Sequence, residues 1–449
     1  MKKVIQEYKK IIFSLIKLSL PILGGNLSQI LVSFSDTIVA GRYSTLALGS
    51  ISVASAIVMT SLIGAIGLLL GISPLIANLR GMNIRSKKYF KLNLVFALFV
   101  SVPFFLVLEL ILAYIDVFHL SPDMIEPVKQ YIAVCAWTVF PTAIFVAVKE
   151  FLQAYEKVVF ANVVMLLTVI VNLVLNVILT FGINTPVFHF EGMGVLGLSI
   201  ATLISKVFSM VVILIYCIPL LKAPYQKSKK YVKELLKIGA PISVSIFLEF
   251  LGFNLTAVLI GMFSALYAGV HNIILCLANL TFMVVLSVSN AASIKIGYYN
   301  GRKDILNIKR YSIANIIVMI FICIITFTVL GIWSDEVISI FSPDKEVLEL
   351  SKKILKIAMC FLFFDGLQGA CTGILKGLKD TKVIMFAMIC GYLLLAIPLG
   401  SYLAFCHNIV LEGFWIGLAL SLFLISIITS SRVIYSIKKL EKDYNSISS

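Results

Sequence analysis

Three acidic residues, Asp36, Glu249 and Asp365, stand inside segments that otherwise read as membrane-spanning. A carboxylate at the centre of a bilayer helix costs roughly 2.5–3.5 kcal/mol on insertion scales, so such residues face a cavity or a partner and mark an ion or substrate route. At about 1.5 Å of rise per residue from the nearest loop charge, Glu249 lies roughly 18 Å from the cytoplasmic edge and Asp365 roughly 16 Å. The two share a depth near the midplane, with no Lys or Arg beside them in that leaflet. Two carboxyl groups at one depth cannot both ionise cheaply; a cation sits between them or one keeps its proton. Asp36 lies roughly 29 Å in, in the outer leaflet, at the depth of Asn176 and one turn from that of Asn172. A hard ion such as Na+ also takes carbonyl or amide oxygens, which Asn172, Asn176 and Thr202 could supply in this N-terminal half. The expected coupling ion, Na+ or H+, is thus placed at Glu249 and Asp365, or at Asp36 and Asn176.

Four further groups bear on these sites. Lys206, one turn beyond Thr202, reads as a long side chain snorkelling along a cavity wall, or as a tethered counter-ion of Asp36 that competes with the cation. His271, near the outer end of its helix, reads as a packing histidine, with a proton relay as the alternative. Phe361 stands one turn before Asp365. Phe247, Phe250, Phe253 and Met283 could hold apolar substrate surface adaptably, or simply pack between helices.

The elements that must position these residues are long apolar helices. Of 449 residues 60% are hydrophobic and 13% charged, and the mean hydropathy is +1.04, more apolar surface than a soluble domain needs. Apolar segments fall at 12–41, 46–77, 92–115, 128–148, 158–183, 193–221, 235–262, 266–294, 311–333, 352–375, 382–405 and 411–437. Each has about the length a bilayer helix requires, so the fold class is an all-α membrane protein of about twelve transmembrane helices. The loops alternate in sign. One set, with Lys87, Lys88, Lys229 and Lys230, is basic, and the other carries Asp116, Asp123, Asp335 and Glu336. The positive-inside rule puts the basic loops and both termini in the cytoplasm of a multi-pass protein in the cytoplasmic (inner) membrane. The net charge of +15 is thereby topological, and a nucleic-acid partner is excluded because no single basic face exists. The eight cysteines form no metal or redox spacing and read as packing residues. The histidines His119, His189, His271 and His407 belong to no hydrolase or zinc motif, so the chain reads as no enzyme and needs no cofactor beyond the coupling ion.

The chain also repeats itself. At an offset of 220 positions Pro21 meets Pro241, Gly41 meets Gly261, Gly49 meets Gly269 and Gly81 meets Gly301. This predicts an N-terminal six-helix lobe over 1–221, a basic cytoplasmic linker over 222–234 and a C-terminal six-helix lobe over 235–449. Two six-helix halves run in the same direction, related by a pseudo-two-fold axis along the membrane normal, which permits alternating access by rocking.

The chain resembles the multidrug and toxic compound extrusion (MATE) family of the multidrug/oligosaccharidyl-lipid/polysaccharide exporter superfamily. The likeness covers essentially the whole sequence. It is carried by Leu20-Pro21-Ile22, Gln29, Asp36 through Gly41, Asn172 and Asn176, Glu191 through Gly197, Ala201-Thr202, Gly239-Ala240-Pro241, Glu249, His271-Asn272 and the stretch from Asp365 to Asp380. The resemblance implies a MATE-type antiporter, monomeric and embedded in lipid, that exports small amphipathic organic cations in exchange for Na+ or H+. Asp36 matches the family's N-lobe aspartate; Glu249 and Asp365 match the C-lobe acid pair of the norfloxacin-exporter (NorM-like) branch, usually sodium-coupled. Phe361 departs from a tyrosine frequent in that branch, Asn176 from an aspartate of some proton-coupled relatives, and Val285 from a proline. A lipid-linked saccharide flippase of the same superfamily is the alternative. It needs a basic cavity, for which only Lys206 speaks.

Overall fold

The computed structural model describes residues 2–118, 120–184, 189–341 and 344–448. Twelve helical spans are long and apolar enough to cross a membrane: α1 (Gln6–Tyr43), α2 (Thr45–Gly81), α3 (Ser86–Ala113), α4 (Pro122–Ala154), α5 (Val159–Phe181), α6 (Gly194–Tyr216), α7 (Lys229–Gly261), α8 (Leu266–Arg302), α9 (Ile305–Ile332), α10 (Lys345–Gly377), α11 (Lys382–His407) and α12 (Leu411–Asp443). Leu, Ile, Val and Phe surround these helices on nearly all sides, as lipid on one face and protein on the other demand. On α3, Phe99, Leu106 and Leu110 are exposed while Phe96, Val100 and Leu108 are buried. After α5 a short antiparallel ladder pairs β1 (Gly182–Asn184) with β2 (His189–Glu191).

Several helices outrun the apolar segments. Span α4 continues past 148 because Lys149, Glu150 and Gln153 are themselves buried, with the Lys149 and Glu150 charges opposing each other. Span α10 begins at Lys345 because Asp344 caps it, its carboxylate accepting from the Glu346 N–H at 2.9 Å. Such a cap satisfies one of the amide groups a helix start leaves open.

The described geometry repeats closely. Ser44 and Ser264, 220 positions apart, both cap a helix in extended backbone, accepting from Ala47 N at 3.0 Å and Leu266 N at 3.2 Å. Asn83 and Lys303, at the same offset, are both left-handed, with φ of 59° and 57°. Over α4 and into the start of α5 the offset becomes 223. Pro122 and Lys345 open α4 and α10, Ala154 and Gly377 close them, and left-handed Glu156 and Lys379 follow with φ of 60° and 64°. The second half therefore has three additional residues between Lys303 and Lys345.

Two compact units emerge: one of residues 21–76 and 85–243, the other of 1–20, 77–84 and 244–449. Their borders differ from the lobes read from the sequence, because the start of α1, the end of α2 and the start of α7 are exchanged. Two of the borders pass through α1 and α7 at or just beyond Pro21 and Pro241, where proline removes a helical hydrogen bond. Within the first unit Ser243 donates to the Gly64 carbonyl at 2.7 Å, tying α7 to α2. Within the second, Gly81 and Gly301 let α2 cross α8. A Cβ on either would stand about 3 Å from the other's Cα and overlap the carbonyl oxygen of Tyr298 or Asn78. Val285 lies in an unbroken α8, buried with Met319, Cys323 and Ala370.

Candidate functional site

The first unit assembles the predicted N-terminal cluster. Asp36 on α1 is 8% exposed, and Asn172 and Asn176 on α5 are fully buried. Asn176 Nδ2 donates to Asp36 Oδ1 at 2.7 Å and also approaches Ser35 Oγ and Asn172 Oδ1 at 3.1 Å each. Asn172 Nδ2 donates to Asp36 Oδ1 at 3.2 Å, and Thr202 Oγ1 on α6 donates to Asp36 Oδ2 at 3.3 Å. The four predicted residues thus converge, but with hydrogens rather than oxygens turned to the carboxylate. Donors so placed stabilise the negative charge and repel a metal ion from the same oxygens. Tyr131 and Cys135 on α4, one turn apart and 3% and 1% exposed, adjoin the cluster; the sequence reading did not select Tyr131. Lys206 acts electrostatically on Asp36 yet makes no ion pair among the described residues.

The second unit brings the acid pair together from α7 and α10. Asp365 is 5% exposed and its Oδ1 has no hydrogen-bond partner among the described residues. Gln368 faces the carboxyl one turn on. Its own Oε1 accepts from Thr372 Oγ1 at 3.0 Å, which directs its amide nitrogen to Asp365. Glu249, half-buried, shares this field with Asp365. The expectation that no base accompanies the pair needs correction. Lys376, eleven positions beyond Asp365, is only 8% exposed and its charge acts on Glu249. A lysine at a helix end reaches inward by its four-carbon stem as readily as outward.

Sequence reasoning also missed Tyr392. It lies in a π-helical stretch of α11, Ile389–Ala396, an irregularity frequent at functional sites because it re-aims a side chain. Its ring presses on Gly252, where a Cβ would stand 2.6 Å from its Cδ1, and meets Phe253 edge-on at 5.7 Å. Glu249, Gly252 and Phe253 share one face of α7 by spacing. Phe253 touches Phe361 at 5.9 Å, one turn from Asp365. The Tyr392 hydroxyl is fully buried without a partner among the described residues, in the field of both carboxyl groups. A phenol on α11 therefore lies within electrostatic reach of the pair, although Phe361 offers none from α10. Phe361 instead packs edge-on against Trp415 at 5.4 Å, which meets His271 at 5.6 Å. His271 is fully buried in that aromatic packing, neither ring nitrogen having a partner among the described residues. His119 lies outside the described residues.

The family model described as MatE matches residues 21–178 and 241–402, two segments that follow the internal repeat. The multidrug resistance protein NorM of Photobacterium profundum is 27% identical over 425 residues, covering 92% of each chain. A probable multidrug resistance protein NorM of Bacillus anthracis is 28% identical over 421 residues and 90% of each. Among solved structures, a MATE protein in a bent conformation superposes with a TM-score of 0.87 at 17% identity, over 96% of both chains. A superfamily transporter from Pyrococcus furiosus, described as having a binding pocket of reverse polarity, gives 0.85 at 18% identity over 96% and 97%.

Proposed function

The chain belongs to the MatE family, and from that premise we propose that it is a secondary active antiporter exporting organic cations and drugs in exchange for Na+ or H+. Relatives named as multidrug resistance proteins support this reading. The observation that carries it is the C-terminal acid pair. Asp365 Oδ1 and the Tyr392 hydroxyl are buried beside Glu249, without a partner among the described residues, and such a group of oxygens is completed by a cation or a shared proton. At Asp36, by contrast, the protein's own donors already occupy the carboxylate. The two six-helix lobes, 1–221 and 235–449, would alternate access about the site, with both termini in the cytoplasm and one chain as the working unit. Cation and cationic substrate exclude one another at the pair, and that exclusion is the coupling free energy of exchange. No covalent step is involved.

The test is direct. Vesicles containing the purified protein and loaded with ethidium receive a Na+ or an H+ gradient separately. Sodium is expected to drive efflux by the wild type, and Asp365→Asn to lose it. Efflux by the variant still tied to the gradient overturns the assignment. Lys206 supports a second reading, a lipid-linked saccharide flippase. That activity would be seen as gradient-independent scrambling of such a lipid, lost in Lys206→Gln.

A further inference from the structure

The repeat carries the acid pair onto another place in the molecule. At the offset of 220 that relates α1 to α7, Glu249 corresponds to Gln29; at the 223 that relates α4 to α10, Asp365 corresponds to Thr142. Gln29 and Thr142 do come together. They line a small chamber in the first unit whose wall also includes Lys206, Ser28, Thr168 and Ser209. Both acids are replaced by neutral groups, and a cation is added.

The donors open to a ligand can be identified one by one. Ser28, Thr168 and Ser209 donate to backbone carbonyls of Gly24, Val164 and Lys206 at 2.8, 2.7 and 2.8 Å, so their hydrogens are engaged. Thr142, a wall residue of the chamber, is 9% exposed and its buried Oγ1 has no partner among the described residues. Gln29, an exposed residue of the chamber wall, supplies an amide. The Lys206 ammonium is in no ion pair among the described residues, and Asp36 is the acidic group whose field reaches it. The cavity volume is about 40 Å³, room for roughly three waters or one small anionic group.

We propose that this chamber is an anion subsite, in which Lys206, Gln29 and Thr142 bind a carboxylate. The carboxylate belongs either to a zwitterionic substrate or to a free small anion. Lys206 divides its attraction between Asp36 and this ligand, so a proton taken up at Asp36 releases the ammonium to the chamber. The inference rests on the chamber and the repeat, not on the driving ion or direction of transport.

Equilibrium binding to the purified full-length chain, with no gradient, tests it separately from the efflux assay. Norfloxacin and its methyl ester are compared at constant ionic strength, with a bulky sulfonate anion replaced by chloride in a second series. The wild type is expected to prefer the free acid about tenfold, and Lys206→Met and Thr142→Val to erase most of that preference while leaving the ester's affinity in place. If the chamber holds a free anion instead, chloride shifts ligand binding in the wild type and not in Lys206→Met. A wild type indifferent to both the carboxylate and chloride, or a preference that Lys206→Met retains, overturns the proposal. Failure of ion-driven efflux would sink the exporter reading and leave this binding result standing.

Discussion

Replacing Tyr392 with Phe removes one oxygen and keeps the ring against Gly252 and Phe253. If the phenol completes the acid pair, Na+ affinity measured by radiolabelled sodium binding falls about ten- to a hundredfold. Adding Phe361→Tyr, which offers a phenol one turn from Asp365, restores part of it; unchanged affinity in Tyr392→Phe removes the phenol from the site. Protons compete with Na+ for Glu249 and Asp365, so the sodium concentration for half-maximal binding rises as pH falls, and that trend disappears in Asp365→Asn. In the other unit Asn176→Leu leaves Asp36 short of its 2.7 Å donor. Such a loss costs about 1–3 kcal/mol, seen as a lower melting temperature. Of these residues, Asp36, Asn172, Asn176 and Thr202 were legible because helix spacing and depth suffice to bring polar groups onto facing stripes. Their role as donors was not legible, since an amide offers both an oxygen and a nitrogen. Tyr131 and Tyr392 escaped because a phenol in an apolar run is indistinguishable from core until its hydroxyl is seen to converge on an acid.

Helix crossings impose stricter demands than composition does. Gly81 and Gly301 were visible as a matched pair in the repeat, and their reason is that each backbone occupies the space of the other's Cβ. Gly41, matched to Gly261 in the same way, meets only Leu48 at 3.7 Å. Gly81→Leu is therefore expected to abolish efflux while the protein still inserts, because backbone, not a flexible side chain, must yield; Gly41→Ala should transport near the wild-type rate. Ethidium efflux normalised to membrane-inserted protein separates the two, and equal activity would mean the crossing is not needed. The change of offset from 220 to 223 could not be read in advance. It is recorded by left-handed Asn83, Lys303, Glu156 and Lys379, whose residue types share nothing that a sequence comparison would align. The π-helical turn of α11 was equally silent, since Ile389 to Ala396 is as apolar as the rest of the helix.

Across the described residues, two halves with the same order of helices have come to hold different chemistry. Hydropathy and alternating loop charge were enough to place the twelve spans, because a bilayer leaves a chain few options. They say nothing about which half binds the ion. The proposed assignment to the C-terminal half rests on the acids themselves: Asp36 is supplied with three donors, although Asn176 Oδ1 beside it has no partner among the described residues, while Asp365 keeps a carboxylate oxygen without one. One sodium per chain is then expected at saturation, lost in Asp365→Asn and retained in Asp36→Asn. Counting bound radiolabelled sodium on the purified protein decides the matter. Loss in Asp36→Asn with retention in Asp365→Asn would assign the ion to the N-terminal half and make its donor shell an arrangement that the cation must displace.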